Sequence, residues 1–158
     1  MTMFIDKNTG ARIVESAKGW LGTPHLNAHK NKGVGVDCAR LIEASLEDSG
    51  LYPEGFLKDM DTSYTSDWHL NNGKNIMIPI IEGYCEEIHP DSLQEGDILT
   101  FQIGRQIGHC AIYIGDGNII HSFPDLGVHI SNLETDFHLY DKKGRSRLKK
   151  VYRLKEEY

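Results

Sequence analysis

The sequence predicts an α+β domain in which N-terminal helices pack on one side of a small antiparallel sheet. Three observations carry that prediction. Helical spacing of apolar residues is confined to the first half of the chain, and short runs rich in Ile and aromatic residues follow Pro90. Between two of those runs, "GDGN" at 115–118 marks a tight hairpin.

In "TGARIVESAKGWLG", Thr9 is a cap candidate and Ile13, Val14, Ala17, Trp20 and Leu21 recur at spacings of three and four, which predicts a helix over 10–21 ended by Gly22 and Pro24. Trp20, like Trp68, reads as core. "TPHLNAHKNKGVGV" at 23–36 is polar and broken by Pro and Gly, the texture of a surface loop. From Asp37, "DCARLIEASLEDSG" puts Cys38, Leu41, Ile42, Ser45 and Leu46 on one helical face, with Asp37 as cap and Gly50 suited to a left-handed C-terminal turn. The stretch 51–92 is expected to hold one or two short helices around Trp68 and Ile76–Tyr84. Strands are expected at "GDILTFQI", "GHCAIYIG", "NIIHSF", "GVHIS" and "KKVYRL".

The chain has 158 residues, which suits a single domain over 1–158. Apolar residues make up 39% and charged residues 25%, an ordinary globular balance. A net charge of -6 excludes a general pull toward nucleic acid or anionic membranes. The basic stretch "DKKGRSRLKKVYRLK" reads as a solvated turn and strand face. Without a basic n-region, an apolar h-region or a long apolar run, neither a signal peptide nor a membrane span is expected, which places the chain in the cytoplasm as synthesised. Cys38, Cys85 and Cys110 are widely spaced and odd in number, so each is read as a free thiol.

Cys38 stands where a nucleophile would. A thiol attacks as thiolate, a form favoured at a helix N-terminus and beside a histidine, and "GVGV" before it keeps the approach open. Alone, a cysteine on a helix face is more often core, so a base is needed. In "GHCAIYIG" the alternation puts His109, Ala111 and Tyr113 on one strand face and Cys110, Ile112 and Ile114 on the other, leaving Cys110 to the core. The hairpin returns with His121, whose parity is compatible with His109, so His121 can fix the His109 tautomer. His69, His89, His129 and His138 read as ordinary, and Cys85 has no assigned role. Neither Cys-x-x-Cys nor His-Glu-x-x-His is present, so a metal built on Cys38, His25, His29, His109 and His121 is not expected, nor is any cofactor.

The spans "GWLGTPHLNAHKNKGVGVDCARLIEASLEDSGL" and "LQEGDILTFQIGRQIGHCAIYIGDGNIIHSF" resemble NlpC-type papain-like cysteine peptidases, especially the stand-alone form encoded with phage tail genes. The resemblance covers most of residues 19–131. It implies a papain-like fold with Cys38 as nucleophile, His109 as base and later acid, and His121 as orienter. It also sets His25, Asp37 and Arg40 on the oxyanion and substrate side, with His25 in "GTPH" standing where many relatives carry Tyr. "DCARL" replaces the common Asp-Cys-Ser-Gly, which brings Arg40 near the cleft as a candidate for a substrate carboxylate beside the alternative of a solvated helix-face Arg.

The implied activity is hydrolysis of peptidoglycan stem-peptide amides, most often the bond between D-γ-glutamate and a diamino acid. A local patch of Arg40, or of Lys30 and Lys32, would have to meet that acidic substrate. Phage or prophage tail proteins are the implied partners, and assembly into a phage particle the implied destination. A non-catalytic tail module of the same fold and a thiol acyltransferase are the alternatives.

Overall fold

The structure is a computed structural model that describes residues 8–57 and 75–155. Helix α1, Thr9–Lys18, opens the described chain; its cap is Asn8, whose carbonyl accepts from Arg12 N at 2.9 Å, so Thr9 is the first helical residue instead of the cap. The helix also stops short of the expected end. Gly19, Trp20 and Leu21 make tighter bonds back to Ser16, Ala17 and Lys18, and Gly22 at φ +86° donates to Val128 O at 3.0 Å. Ile13, Val14, Ala17 and Trp20 are buried as expected, whereas Leu21, carried past the helix, is 43% exposed.

The loop over 23–36 contains a small antiparallel pair, β1 (Lys30–Asn31) and β2 (Gly35–Val36). It is bound to the sheet at Thr23, whose carbonyl accepts from Val128 N at 2.8 Å. Gly127 permits that approach: a Cβ there would lie 2.6 Å from Thr23 O, and its φ is +69°. Helix α2, Cys38–Asp48, follows and packs on α1 and on two strands named below, with Gly50 at φ +77° closing its end as the sequence predicts. Of the segment after it, α3 (Ile78–Tyr84) matches the expected helix, while Trp68 lies outside the described residues.

Among the described residues, the sheet has six antiparallel strands in the order β3-β8-β4-β5-β6-β7. Five are those expected: β4 (Ile98–Ile103), β5 (Gln106–Gly115), β6 (Asn118–Phe123), β7 (Gly127–Asn132) and β8 (Leu148–Leu154). The sixth, β3 (Cys85–Ile88), lies on the edge against β8, and Cys85 is a core residue whose thiol is pushed well up, chiefly by burial. At the "GDGN" turn, Asp116 and Gly117 both take positive φ, 56° and 78°, which matches the twist of the strands it joins.

Alternation divides the strands between two apolar layers. Ile98, Cys110, Ile112, Ile120 and Tyr152 pack with the helices, whereas Leu99, Phe101, Ala111, Ile119 and Val151 pack against Leu139 on the opposite face. Both sides of the central strands are thus dry, and one ion pair lies within them. Arg153 grips Asp97 through Nε and Nη2 at 2.8 and 2.7 Å, with both side chains fully buried, and Nη2 also donates to Ser92 O at 2.7 Å. Burial pushes the Asp97 carboxyl up against the pull of that guanidinium. Arg153→Met is expected to cost about 3–5 kcal/mol in urea unfolding, because it leaves a buried carboxylate without its fork; an unchanged midpoint would contradict this.

Candidate active site

Asp37 sets the start of α2. In extended conformation, φ -98° and ψ 178°, it accepts from Arg40 N at 2.8 Å through Oδ1 and from Ala28 N at 2.7 Å through Oδ2. Ala28 sits at φ 60°, a backbone that few non-glycine residues adopt and that this bond holds in place. With both oxygens on backbone amides and only 4% of its surface exposed, Asp37 is a helix cap, and any part it has in substrate binding is indirect.

Cys38 is the first residue of α2 and is half-buried. Its sulfur meets the thiol of Cys110 on β5; that hydrogen bond, and then burial, push the Cys110 thiol well up and keep its proton in place. Cys110 is a core residue, as its strand parity predicts, but one that floors the candidate nucleophile. The next residue back along β5 is His109, 4% exposed, and its Nε2 lies 2.8 Å from Nδ1 of the fully buried His121. The two expected histidines are therefore brought together by the hairpin.

Beyond them the structure adds residues that sequence reasoning passed over. His121 Nε2 lies 2.9 Å from Ser131 Oγ and 3.7 Å from Asp136 Oδ2, and Ser131 is itself hydrogen-bonded to Asp136. The carboxylate fixes the direction of the chain. Asp136 accepts the Ser131 hydrogen, so Ser131 accepts from His121 Nε2–H, and His121 Nδ1 accepts from His109 Nε2–H. His109 Nδ1 is then left with a lone pair. His138 donates to Asp136 Oδ1 from its backbone N and from Nδ1, both at 3.0 Å, and the His129 ring lies 4.5 Å from that of His121. Burial raises the Asp136 carboxyl, but the hydrogen bonds from Ser131 and His138 bring it below its ordinary value. His129 and His138 are thus part of this cluster, and the signal for one of them was available. The short β6–β7 connection sets His129 directly opposite His121.

His25 is tied to the same region by Ser122, the neighbour of His121. Ser122 Oγ donates to Val36 O at 2.7 Å, one residue before the Asp37 cap, and lies 2.9 Å from His25 Nδ1. Its only hydrogen is committed to Val36, so His25 Nδ1–H is the donor of the second bond and Nε2 carries a lone pair. Burial, the largest effect on it, lowers the His25 pKa.

Arg40 is not a solvated helix-face residue. It is 6% exposed, its Nη1 donates to Glu43 Oε1 at 2.8 Å, and Nε and Nη2 are buried with no hydrogen-bond partner among the described residues. The expected lysine patch is likewise neutralised, with Lys30 on Glu47 at 2.6 Å and on Glu43 at 3.3 Å, and Lys32 on Asp48 at 3.4 Å. Carboxylates of α2, buried at Glu43 and Glu47 and exposed at Asp48, claim these cations before a substrate can.

His121 stays uncharged because burial, then the charge of His129, lower its pKa to about 3 from 6.5, against the pull of Asp136. Between those values the unfolded ring binds a proton that the folded ring refuses, so its contribution to stability is full above the range and is lost as pH falls through it. Wild-type protein is expected to lose about 2–3 kcal/mol from this ring between pH 7 and about pH 4.5. Urea unfolding of His121→Asn should show a correspondingly shallower decline, and parallel profiles would contradict the assignment.

The NlpC/P60 family profile matches residues 22–144. Tail tip assembly protein K of Escherichia phage lambda is 27% identical over 104 residues, covering 65% of this chain and 49% of that protein, so the match spans about half of the relative. Among solved structures, an NlpC/P60 family protein from Bacillus cereus superposes at TM-score 0.60 with 23% identity, over 95% of this chain and 41% of the other. The NlpC/p60 domain of the peptidoglycan hydrolase SagA superposes at 0.56 with 20% identity, over 92% of this chain and 99% of the other. The papain-like α+β fold is shared, and with a profile match across most of its length, the chain belongs to the NlpC/P60 family.

Proposed function

We propose that this chain is a cysteine amidase or endopeptidase that hydrolyses peptidoglycan stem-peptide amides, with the D-γ-glutamyl bond to a diamino acid as its target. The observation that carries the reading is the 2.8 Å contact between His109 Nε2 and His121 Nδ1, set in the strand that also supports Cys38 through Cys110. It leaves His109 Nδ1 as the nitrogen for the Cys38 proton. The thiolate attacks the amide carbonyl carbon, and the oxygen takes up the electron pair against the Cys38 backbone amide at the α2 N-terminus. Collapse of that intermediate breaks the C–N bond, His109 returns the proton to the departing amine, and water cleaves the thioester with His109 again as base.

His25 takes a narrower role than that of a donor to the oxyanion. In its neutral form, with Nδ1–H on Ser122, it offers a substrate an acceptor. Arg40, with Nε and Nη2 both buried, offers a substrate no open guanidinium edge, and its part is to hold Glu43 beside the start of α2. Two relatives support the setting: SagA is a peptidoglycan hydrolase, and the lambda protein is a tail tip assembly protein. A chain of this kind carried in a phage particle would open the wall for the tail.

Mass-spectrometric analysis of peptidoglycan and of defined stem peptides tests the reading. Wild-type protein is expected to release fragments with a new amine end. Cys38→Ala should release none, and His25→Phe should lose less than about tenfold in rate where loss of an oxyanion donor costs about 100- to 1000-fold. Fragments from Cys38→Ala would refute the nucleophile.

A further inference from the structure

We propose that His121, His129 and Asp136 form a binding site for a zinc-class divalent cation, and that filling it switches off the His109–His121 relay. One ligand atom from each of the three lies within 4.8 Å of the others, and His121 Nε2 and Asp136 Oδ2 are already 3.7 Å apart. A tetrahedral zinc ion with bonds of about 2.0–2.2 Å needs ligand atoms about 3.3–3.6 Å apart, so small side-chain rotations close the set.

Each ligand is held from behind, as metal ligands are. His129 Nδ1 lies 2.9 Å from Gly127 O, and because a carbonyl only accepts, the ring hydrogen is on Nδ1 and the lone pair on Nε2. Asp136 Oδ1 is occupied by His138, which leaves Oδ2 for an ion, and His121 is held through Nδ1 by His109. Two imidazoles and one carboxylate suit zinc, cobalt or nickel over magnesium or calcium, which favour all-oxygen sets. Access is provided by a cavity of about 510 Å³ lined by His129, Ser131, Asp136, Phe137 and His138. Ser131, now against His121 Nε2, lines that cavity and can rotate aside, leaving water for the fourth position.

The consequence for activity rests on the reading of Cys38, His109 and His121 given above. In the relay His121 carries its hydrogen on Nε2. An ion on Nε2 needs the lone pair there, so the hydrogen moves to Nδ1 and points at His109 Nε2. His109 must then accept at Nε2 and hold its own hydrogen on Nδ1, the nitrogen that the Cys38 proton would need. Ion binding and nucleophile activation are therefore mutually exclusive.

Zinc titration of Cys38→Ala by calorimetry separates this site from a metal on the nucleophile. One ion per chain is expected to bind, with affinity at least tenfold weaker in Cys38→Ala/His129→Ala. Cobalt bound to Cys38→Ala should give the visible bands of a tetrahedral nitrogen and oxygen site with no thiolate charge-transfer band, a readout that needs no second variant. Hydrolysis of peptidoglycan by the wild type should be inhibited by zinc, restored by a chelator, and at least tenfold less sensitive in His129→Ala. Absence of binding, indifference to His129→Ala, a thiolate band, or binding without inhibition in an active enzyme would each overturn the proposal. Wild-type protein inactive toward peptidoglycan would instead defeat the hydrolase reading, and the binding measurements would still decide the site.

Discussion

The position of the Asp37 carboxylate is the constraint on which the candidate site depends. One oxygen caps α2 and the other holds Ala28 in a left-handed turn, so the loop over 23–36 and the helix that begins at Cys38 are fixed by a single buried group. Capping of this kind is worth about 0.5–2 kcal/mol in stability, but here it also sets where the first helical residue lies. Ser122 continues the brace, joining β6 to Val36 immediately before the cap. The start of the helix and the strand bearing His121 are thus held to one another by backbone-directed hydrogen bonds, which tolerate little displacement.

The second feature is a directional chain of buried polar groups. From His109 through His121 and Ser131 to Asp136, each hydrogen has one acceptor, and the carboxylate at the far end determines which way all of them point. Phe101 and Phe123 pack about the His109 ring, at centroid distances of 5.8 and 5.3 Å, and keep the His109–His121 end of that chain dry. A low local dielectric strengthens every bond in it and makes any unpaired member costly. A site built this way is stable in one tautomeric state and sensitive to whatever takes a lone pair from His121.

Much of this was legible in the sequence. Cys38 at the head of a helix and the two histidines on a hairpin are local patterns, and the β5–β6 turn chemistry is strong enough to determine their mutual placement. Strand β3 was not legible, because "CEEI" is short, carries two exposed glutamates and is a strand only by pairing with β8 near the chain's end. Ser131, Asp136 and His138 escaped for a related reason. They reach His121 through the fold of β7 and the turn after it, and only the facing of His129 and His121 could be counted from loop length. Arg40 is buried and not solvated, and the spacing held a sign of it, because Glu43 stands three residues on, where it faces Arg40 on the helix.

The account turns on Cys38 being the activated thiol of the three. Cys85 and Cys110 are buried within the core, and Cys38 is half-buried at the helix start. The most direct measurement is the rate of alkylation of each cysteine by iodoacetamide near neutral pH, read by peptide mass spectrometry in wild type and in His109→Ala. The account predicts that Cys38 reacts first by at least about tenfold and loses that lead without His109. Equal rates at all three cysteines, or a lead that survives His109→Ala, would contradict it.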